Sequence, residues 1–348
     1  MAFSDSLPQT LRAGIIGCGR PKTAERPDGG QAQRHVETYK QSGYELVALS
    51  DIAQENLDAF QAEHGGERTY LDYHEMLKKE RLDIVSVCTW PALHEPMVEA
   101  CARAGVALIY CEKPMAPTFG ASKRMAAVCQ QNGAILGFNH QRRFGEPFIK
   151  AREMVKAGEI GELIRLEGQC GDLFDWGTHW FDMMFFYNDE TPVEWVLGQI
   201  EWRGARKVFG APLENQGISH FKFRNEVQGL LLTGHAMRPT NRLVGSKGVI
   251  EVGGEANLRI LGKGDGWKEI PTSEGLHEGS CVTRAMNEFV EAARAGRLSQ
   301  VSADKALRAS ELIFATYESS RRNGRVTLPL EIEDSPLQAF LNANGVEL

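Results

Sequence analysis

Five short apolar segments alternate with amphipathic segments over the first 140 residues of this 348-residue chain. Short buried strands joined by helices form parallel sheets, because each helix carries the chain back to the edge where the last strand began. The apolar segments are Ala13–Ile16, Glu45–Ser50, Asp83–Cys88, Val106–Cys111 and Ala134–Phe138, and the helical segments lie near Arg34–Ser42, Gln54–His64, His94–Ala104 and Phe119–Asn132. The alternation predicts an α/β domain with a doubly wound parallel sheet.

The pattern changes after Gly161, where strand-like segments follow one another without long helices between them. They are Leu163–Cys170, Val193–Trp202, Ile218–Phe223, Val227–Gly234 and Val249–Val252. Strands joined by turns indicate a second, α+β domain with a large, mostly antiparallel sheet. Two late amphipathic segments, Cys281–Ala295 and Ala303–Asn323, are expected on one face of that sheet. The other face is expected to stay open for another subunit.

The predicted domain boundary lies between residues 139 and 140. Residues 1–139 are assigned to cofactor binding and residues 140–348 to substrate binding and oligomerisation, with the last helix and strand free to pack back on the first domain. A homodimer or homotetramer joined through the open sheet face is the expected assembly.

Composition narrows the functional classes. The formal net charge is −7, which argues against a non-specific nucleic-acid binder. No run of eighteen apolar residues and no secretory signal are visible, so the expected location is the cytoplasm, away from membranes. The seven cysteines form no C-x-x-C pair, which predicts buried, reduced thiols and no metal site.

A glycine turn follows the first predicted strand directly, in the run Gly14-Ile-Ile-Gly17-Cys18-Gly19-Arg20. Glycines at 17 and 19 allow a tight turn and the close approach of a pyrophosphate. The third glycine of the usual G-x-G-x-x-G pattern is replaced by Lys22, and a polar insertion runs to Gln33, with Gly29 and Gly30 before the helix. The alternative is a glycine turn without a ligand.

Asp51 ends the second predicted strand. A carboxylate at this position accepts hydrogen bonds from an adenosine ribose diol and repels a 2′-phosphate, which favours NAD over NADP. The alternative is that Asp51 only caps the helix beginning near Ile52.

The fourth predicted strand, Val106–Cys111, leads into Glu112-Lys113-Pro114, and here the sequence resembles the Gfo/Idh/MocA family of oxidoreductases. Further matches lie in order along the chain: Cys88-Thr89-Trp90-Pro91 with His94, Gly137-Phe138-Asn139 with Arg143-Phe144 and Pro147, Gly158-Glu-Ile-Gly161, Asp175-Trp176-Gly177-Thr178-His179, Val301-Ser302-Ala303-Asp304, and Gly324-Arg325-Val326. The resemblance covers nearly the whole chain and implies a Rossmann domain followed by a substrate domain.

The resemblance implies roles for individual residues. Lys113 or His179 is the expected acid/base for a substrate hydroxyl, and Asp175 binds a neighbouring hydroxyl or orients the histidine. Asp182 is expected to be structural, as a partner of His179. The expected cofactor residues are Gly17, Cys18, Gly19, Arg20, Asp51, Ile52, Thr89, Trp90, His94, Glu112, Lys113 and Asn139. The expected substrate residues are Lys113, Arg143, Asp175, Trp176 and His179.

Three functions are compatible with these residues. The first is an NAD-dependent dehydrogenase of a sugar or polyol. The second is a redox-neutral epimerase, lyase or glycosidase that keeps its nicotinamide bound, for which the same residues would serve. The third is a non-catalytic sensor of a dinucleotide or sugar, which has no need of Lys113 and His179.

Overall fold

The computed structural model describes residues 7–20, 30–204, 206–234, 238–262, 264, 266–276 and 280–343. The chain divides into two compact units. Unit 1 comprises Met1–Ala116, Ala121–Gln141 and Gly279–Ala306, and unit 2 comprises Pro117–Gly120, Arg142–Glu278 and Leu307–Leu348. Residues 279–306, placed in the second domain by the predicted boundary, therefore belong to unit 1.

Unit 1 contains a six-stranded parallel sheet with the order β3-β2-β1-β4-β5-β6. Its strands are β1 (Arg12–Ile16), β2 (Glu45–Ser50), β3 (Arg68–Tyr70), β4 (Ile84–Val87), β5 (Leu108–Cys111) and β6 (Ile135–Phe138). Its helices are α1 (Gln31–Gln41), α2 (Gln54–His64), α3 (Tyr73–Lys79), α4 (Pro91–Arg103) and α5 (Phe119–Asn132), which starts in unit 2. This strand order is that of a Rossmann fold, so the predicted fold class is confirmed. The sequence missed β3 and α3.

The helix endings of unit 1 follow from glycine chemistry. Gly43, Gly105 and Gly133 have φ values of 70°, 82° and 72°, in the left-handed region that L-residues avoid. Each follows a helix, as the sequence predicts, and lets the chain turn towards the next strand. The strands they lead to are buried, which is why those segments read as continuous apolar runs.

The helix α8 (Ser280–Arg294) corrects one prediction, because it packs in unit 1 and not on the second sheet. Thr283 Oγ1 lies 3.1 Å from Thr38 Oγ1 of α1. The Phe289 ring lies 2.7 Å from where a Cβ on Gly137 would be, so a side chain at Gly137 would displace it. An amphipathic pattern shows that one face is buried but does not identify the surface that buries it.

Unit 2 is built on a nine-stranded sheet with the order β16-β15-β14-β13-β7-β12-β11-β8-β17. The strands are β7 (Leu163–Cys170), β8 (Val193–Glu201), β11 (Gln216–Phe223), β12 (Gln228–Thr233), β13 (Thr240–Gly245), β14 (Gly248–Gly253), β15 (Ala256–Gly262), β16 (Trp267–Glu269) and β17 (Val326–Thr327). A separate short pair is formed by β9 (Lys207–Val208) and β10 (Ala211–Pro212). Only β7 and β12 pair in parallel among the nine. The predicted large, mostly antiparallel sheet is confirmed.

The remaining helices are α6 (Glu146–Lys156), α7 (Gly177–Tyr187), α9 (Ala303–Arg322) and α10 (Pro336–Ala343). From Leu307 onward α9 belongs to unit 2, where its residue Thr316 lies 2.6 Å from a Cβ position on Gly198 of β8. Gly168 of β7 similarly leaves room for Trp180, 2.7 Å from its Cβ position. Because these glycines have no side chain, α9 and α7 approach the sheet closely. The contact between Gly168 and Trp180 holds α7 against β7.

Two sequence expectations concern the chain as a whole. All seven cysteines are free thiols, and six of them are buried. Among the described residues, no helix combines the length and the apolar character that crossing a membrane requires.

Candidate functional site

The glycine turn lies at the carboxyl end of β1, in unit 1. Gly17 and Gly19 have φ values of 88° and 75°, and a Cβ on Gly17 would lie 2.7 Å from Thr89 Cγ2 and 2.9 Å from the Cys88 carbonyl oxygen. Gly30 precedes α1, and its Cβ position is 4.0 Å from the Gly19 Cα. Among the described residues, these three glycines leave three positions around the turn without a side chain. Lys22 and Gly29 lie outside the described residues.

Asp51 is bonded to the glycine turn itself. Its Oδ2 accepts a hydrogen bond from the Cys18 amide at 2.9 Å, and its Oδ1 accepts from the Ala53 amide at 3.0 Å and from Asn56 Nδ2 at 2.8 Å. The carboxylate thus joins the turn after β1 to the start of α2. Asn56, which the sequence interpretation missed, fixes the orientation of this carboxylate, and nothing in a single sequence marks it.

The side chains predicted to surround the cofactor differ widely in exposure. Ile52 and Trp90 are 91% and 54% exposed, so both are available to a ligand. His94 has no exposed surface: its Nε2 lies 3.1 Å from the Thr89 carbonyl oxygen, and its Nδ1 lies 3.0 Å from that of Met115. Burial lowers the pKa of His94, against the effect of these carbonyls. The prediction of direct cofactor contact by His94 is corrected: its role is to join the turns that follow β4 and β5.

Glu112 and Asn139 meet beyond the ends of β5 and β6. Asn139 Nδ2 donates to Glu112 Oε1 at 2.7 Å, and His35 Nε2 lies 2.9 Å from the same oxygen. Glu112 is 5% exposed and Asn139 1%, whereas Lys113, the next residue, is half-buried. The buried acid and the more accessible lysine therefore have different surroundings. His35 carries no sequence signal beyond a polar residue on the buried face of α1.

In unit 2, the loop after β7 presents Asp175 and Trp176 immediately before α7. Both side chains are half-buried, and His179, in the first turn of α7, is 4% exposed. The loop is shaped by Asp172, whose Oδ1 accepts hydrogen bonds from the Asp175 amide at 2.6 Å and the Trp176 amide at 3.2 Å. Asp172 was not predicted from the sequence and holds the backbone of the predicted catalytic Asp175.

Arg143 corrects another expectation. Its Nε and Nη2 lie 2.8 Å from the two carboxylate oxygens of Asp182, its Nη1 pairs with Glu190, and its side chain has no exposed surface. A guanidinium committed to a buried bidentate ion pair cannot also bind a substrate from solvent. Arg143 is therefore structural in this unit. The Asp182 carboxylate, expected as a partner of His179, pairs with the Arg143 guanidinium.

Asp172 lies in a buried acidic setting that affects stability. Burial, together with the nearby Glu214 and Asp175, raises the pKa of Asp172 from 3.8 to about 6. Glu214 is fully buried and accepts hydrogen bonds from the Leu173 amide at 2.6 Å and from Tyr317 at 2.8 Å. Between pH 4 and 6 the unfolded chain gives up the Asp172 proton while the folded chain retains it. This group therefore lowers stability as pH rises through that window.

An Asp172→Asn variant should escape this loss, because the amide oxygen still accepts the two backbone hydrogen bonds and carries no charge. The difference in free energy of unfolding between Asp172→Asn and the unmodified protein is expected to increase, in favour of the variant, by about 2–3 kcal/mol from pH 4 to pH 6. Above pH 6 this difference should stay constant. Urea unfolding at several pH values measures the difference. A difference that does not change with pH would contradict the assignment.

Parts of the chain are similar in sequence to known oxidoreductases. Residues 11–140 match the model of the Gfo/Idh/MocA group, described as an oxidoreductase family with an NAD-binding Rossmann fold. Myo-inositol 2-dehydrogenase of Thermotoga maritima is 30% identical over 202 residues, which cover 53% of this chain and 57% of that enzyme. D-apiose dehydrogenase of Paraburkholderia graminis is 33% identical over 176 residues, covering 50% and 41%. The matched segments thus span about half of these relatives.

Likeness to solved structures extends over both units. The WlbA dehydrogenase of Bordetella pertussis, solved in complex with NADH and UDP-GlcNAcA, superposes with a TM-score of 0.77. The match covers 93% of this chain and 99% of that one at 22% identity. At this identity the likeness establishes the fold of the chain and not its substrate.

Proposed function

We propose that this chain, whose residues 11–140 match the Gfo/Idh/MocA oxidoreductase family, is an NAD-dependent dehydrogenase of a sugar or polyol. The observation that carries the proposal is the arrangement along the carboxyl edge of the unit 1 sheet. The glycine turn follows β1, Asp51 follows β2 and Glu112-Lys113 follows β5, in a sheet whose strand order reverses between β1 and β4. Such an edge is where doubly wound sheets bind dinucleotides.

The residues present fit NAD. Gly17, Gly19 and Gly30 leave the backbone of the turn open to a pyrophosphate, and Asp51 supplies a carboxylate for a ribose diol. Exposed Ile52 and Trp90 add apolar surface at the same edge. When bound, NAD supplies a hydride acceptor for the carbon that carries the substrate hydroxyl.

Proton transfer is assigned to the protein. Lys113 and His179 are the two candidates for taking the hydroxyl proton, since both side chains can exchange a proton when suitably placed. Asp175, half-buried and held by Asp172 through its backbone amide, is assigned to a neighbouring hydroxyl. Trp176 is proposed to offer an apolar surface to the ring of the substrate.

The proposal is tested with a panel of sugars, inositols and sugar acids, assayed for NADH formation at 340 nm with NAD and with NADP. Net NADH formation with one of them supports a dehydrogenase. Substrate conversion without net NADH would favour the redox-neutral epimerase, lyase or glycosidase, and NAD binding without any conversion would favour the sensor.

The cofactor preference gives a first prediction from the proposed function. Replacing Asp51 by Ser should reduce the preference for NAD over NADP at least tenfold, because the 2′-phosphate no longer meets a carboxylate. Catalytic efficiencies with both cofactors measure the change. Since Asp51 also holds the Cys18 amide, Asp51→Asn is compared with Asp51→Ser: its single acceptor oxygen can keep the Cys18 hydrogen bond without the charge, at the loss of the bonds from Ala53 and Asn56. Equal efficiency of the unmodified protein with NAD and NADP would refute the role of Asp51.

A second prediction concerns assembly through the face of the unit 2 sheet that carries Leu197, Ile218 and Leu232. These side chains lie on neighbouring strands and are 47%, 41% and 37% exposed. We propose a second copy of this chain as their partner, because an apolar patch within a polar sheet face is stabilised by burial. Ile218→Glu should lower the mass in light scattering at micromolar concentration. Leu298→Glu, at a 58% exposed leucine of unit 1, is the control and should not. A monomeric unmodified protein would contradict the proposal.

A further inference from the structure

A continuous network of side-chain hydrogen bonds lies beneath the carboxyl edge of the unit 1 sheet, with Glu112 at its centre. It joins side chains from α1, β4, β5 and the residues that follow β5 and β6, namely Tyr39, Ser86, His35, Glu112, Asn139 and Tyr110. Their exposed fractions range from 0% to 5%. The successive distances are 2.5 Å between Tyr39 and Ser86, 2.9 Å between Ser86 and His35, 2.9 Å between His35 and Glu112, 2.7 Å between Glu112 and Asn139, and 3.1 Å between Asn139 and Tyr110.

With Glu112 ionised, the hydrogen bonds to its carboxylate have a fixed direction. A carboxylate only accepts, so His35 Nε2–H donates to Oε1, and the other ring nitrogen, Nδ1, lies 2.9 Å from Ser86 Oγ. Ser86 Oγ lies in turn 2.5 Å from the Tyr39 hydroxyl. On the other side the Tyr110 hydroxyl donates to Asn139 Oδ1, and Asn139 Nδ2 donates to the same Oε1. Both arms of the network therefore meet at Glu112 Oε1.

The effects on the pKa of Glu112 agree with an ionised carboxylate. Burial raises the pKa of Glu112, but the hydrogen bonds from His35 and Asn139, together with the nearby Lys113, outweigh it and hold the pKa below its ordinary value. Buried carboxylates are stabilised as anions in this way when donors are placed in advance. The arrangement therefore fixes a negative charge at the end of β5.

The position of Glu112 along the sheet indicates which part of a bound dinucleotide would lie nearest to it. Asp51, assigned to the adenosine, follows β2, and the glycine turn, assigned to the pyrophosphate, follows β1. A dinucleotide that continues in the same direction across the reversal of strand order reaches β4 and then β5. The nicotinamide end of the cofactor thus corresponds to the end of the edge where Glu112 lies.

We propose that Glu112, held in place by His35 and Asn139, makes the site favour the oxidised, positively charged nicotinamide over the neutral reduced ring. This inference rests on the proposed NAD-dependent function. A fixed negative charge attracts the oxidised ring and has no net charge to attract in the reduced one, and a buried charge is little screened by salt. Lys113 adds its own field, which stays the same when only Glu112 is neutralised.

The test is ligand binding and does not require turnover. Dissociation constants for NAD⁺, NADH and ADP-ribose are measured by calorimetry on the unmodified protein and on Glu112→Gln. We expect Glu112→Gln to weaken NAD⁺ binding about tenfold and to leave NADH and ADP-ribose, which lacks the nicotinamide, within twofold. A tenfold change in this ratio corresponds to about 30 mV in the potential of the bound two-electron couple, which becomes more positive in the variant.

Two further variants separate charge from structure. Glu288→Gln neutralises another acid of unit 1, which accepts hydrogen bonds from Ser299 and the Gln300 amide, and should leave all three constants unchanged. Asn139→Leu removes one of the two donors to Glu112. Without this donor the pKa of Glu112 rises, so at a pH where Glu112 takes up a proton the NAD⁺ to NADH ratio should shift in the same direction by a smaller factor. This variant carries the test if Glu112→Gln does not fold.

The outcomes are distinct. Equal weakening of all three ligands in Glu112→Gln would show a purely structural role and overturn the inference, as would an unchanged NAD⁺ to NADH ratio. An unmodified protein that binds neither NAD⁺ nor NADH would instead refute the proposed function, and the inference with it.

Discussion

A Gly19→Val variant is expected to lose at least 100-fold in NAD affinity while remaining folded. Gly19 has a φ of 75°, which a β-branched residue does not adopt without strain, and its Cα lies 4.0 Å from the Cβ position of Gly30. A valine side chain would therefore occupy the space that the glycines keep open, and would move the backbone amides intended for the pyrophosphate. Calorimetric titration with NAD measures the loss, and circular dichroism checks the fold.

Gly43 provides the matched control. Its φ of 70° is nearly the same, but nothing lies within 4 Å of its Cβ position, at the end of α1. Gly43→Val should therefore impose a similar backbone strain and leave NAD affinity unchanged. If Gly19→Val binds NAD as tightly as the unmodified protein, the turn does not hold the cofactor.

Much of the fold could be predicted because its signals are local. The helix Gln54–His64 and the strands Glu45–Ser50 and Leu163–Cys170 coincide with the predicted segments, since apolar periodicity and glycine endings are contained within each segment. The strand Arg68–Tyr70 was missed because three residues are too few to show a period. The placement of α8 was wrong because its buried face meets Gly137, a residue far away in the sequence.

The predictions for the candidate site also depend on whether the signal is local in the sequence. The glycine turn, Asp51 and Glu112-Lys113 could be proposed from the sequence because they follow strands directly, and the topology of a parallel sheet brings such positions to one edge. The residues that support them, His35, Asn56 and Asp172, could not. Each acts through a hydrogen bond to a partner whose position depends on the folded backbone. A single sequence contains no pattern for such contacts.

Arg143 illustrates the opposite error. A charged residue within a family motif was assigned to the substrate, but its guanidinium is buried and bonded to both oxygens of Asp182. The motif position was informative about structure and not about ligand binding. Burial and pairing, which only the folded chain reveals, separate the two roles.

The largest effect on chemistry is expected from Lys113→Met. If Lys113 exchanges the proton of the substrate hydroxyl, its removal should lower kcat about 100-fold or more, the usual scale for a positioned acid or base. NAD affinity should stay within a few-fold, because the main contacts are proposed to come from Gly17, Gly19 and Asp51. Steady-state kinetics at saturating NAD, together with NAD titrations, measure the two quantities separately. Lys40→Met, at an exposed lysine of α1, is the control and should turn over normally.

His179→Ala extends the test to unit 2. It should lower kcat by a similar factor, and the double variant Lys113→Met/His179→Ala should lose much less than the product of the two losses if both residues act on one proton transfer. Losses that multiply would mean that the two residues act independently. A Lys113→Met protein with nearly unchanged kcat would remove the basis of the mechanism. Loss of NAD affinity alone, with kcat preserved at saturating NAD, would assign Lys113 to the cofactor.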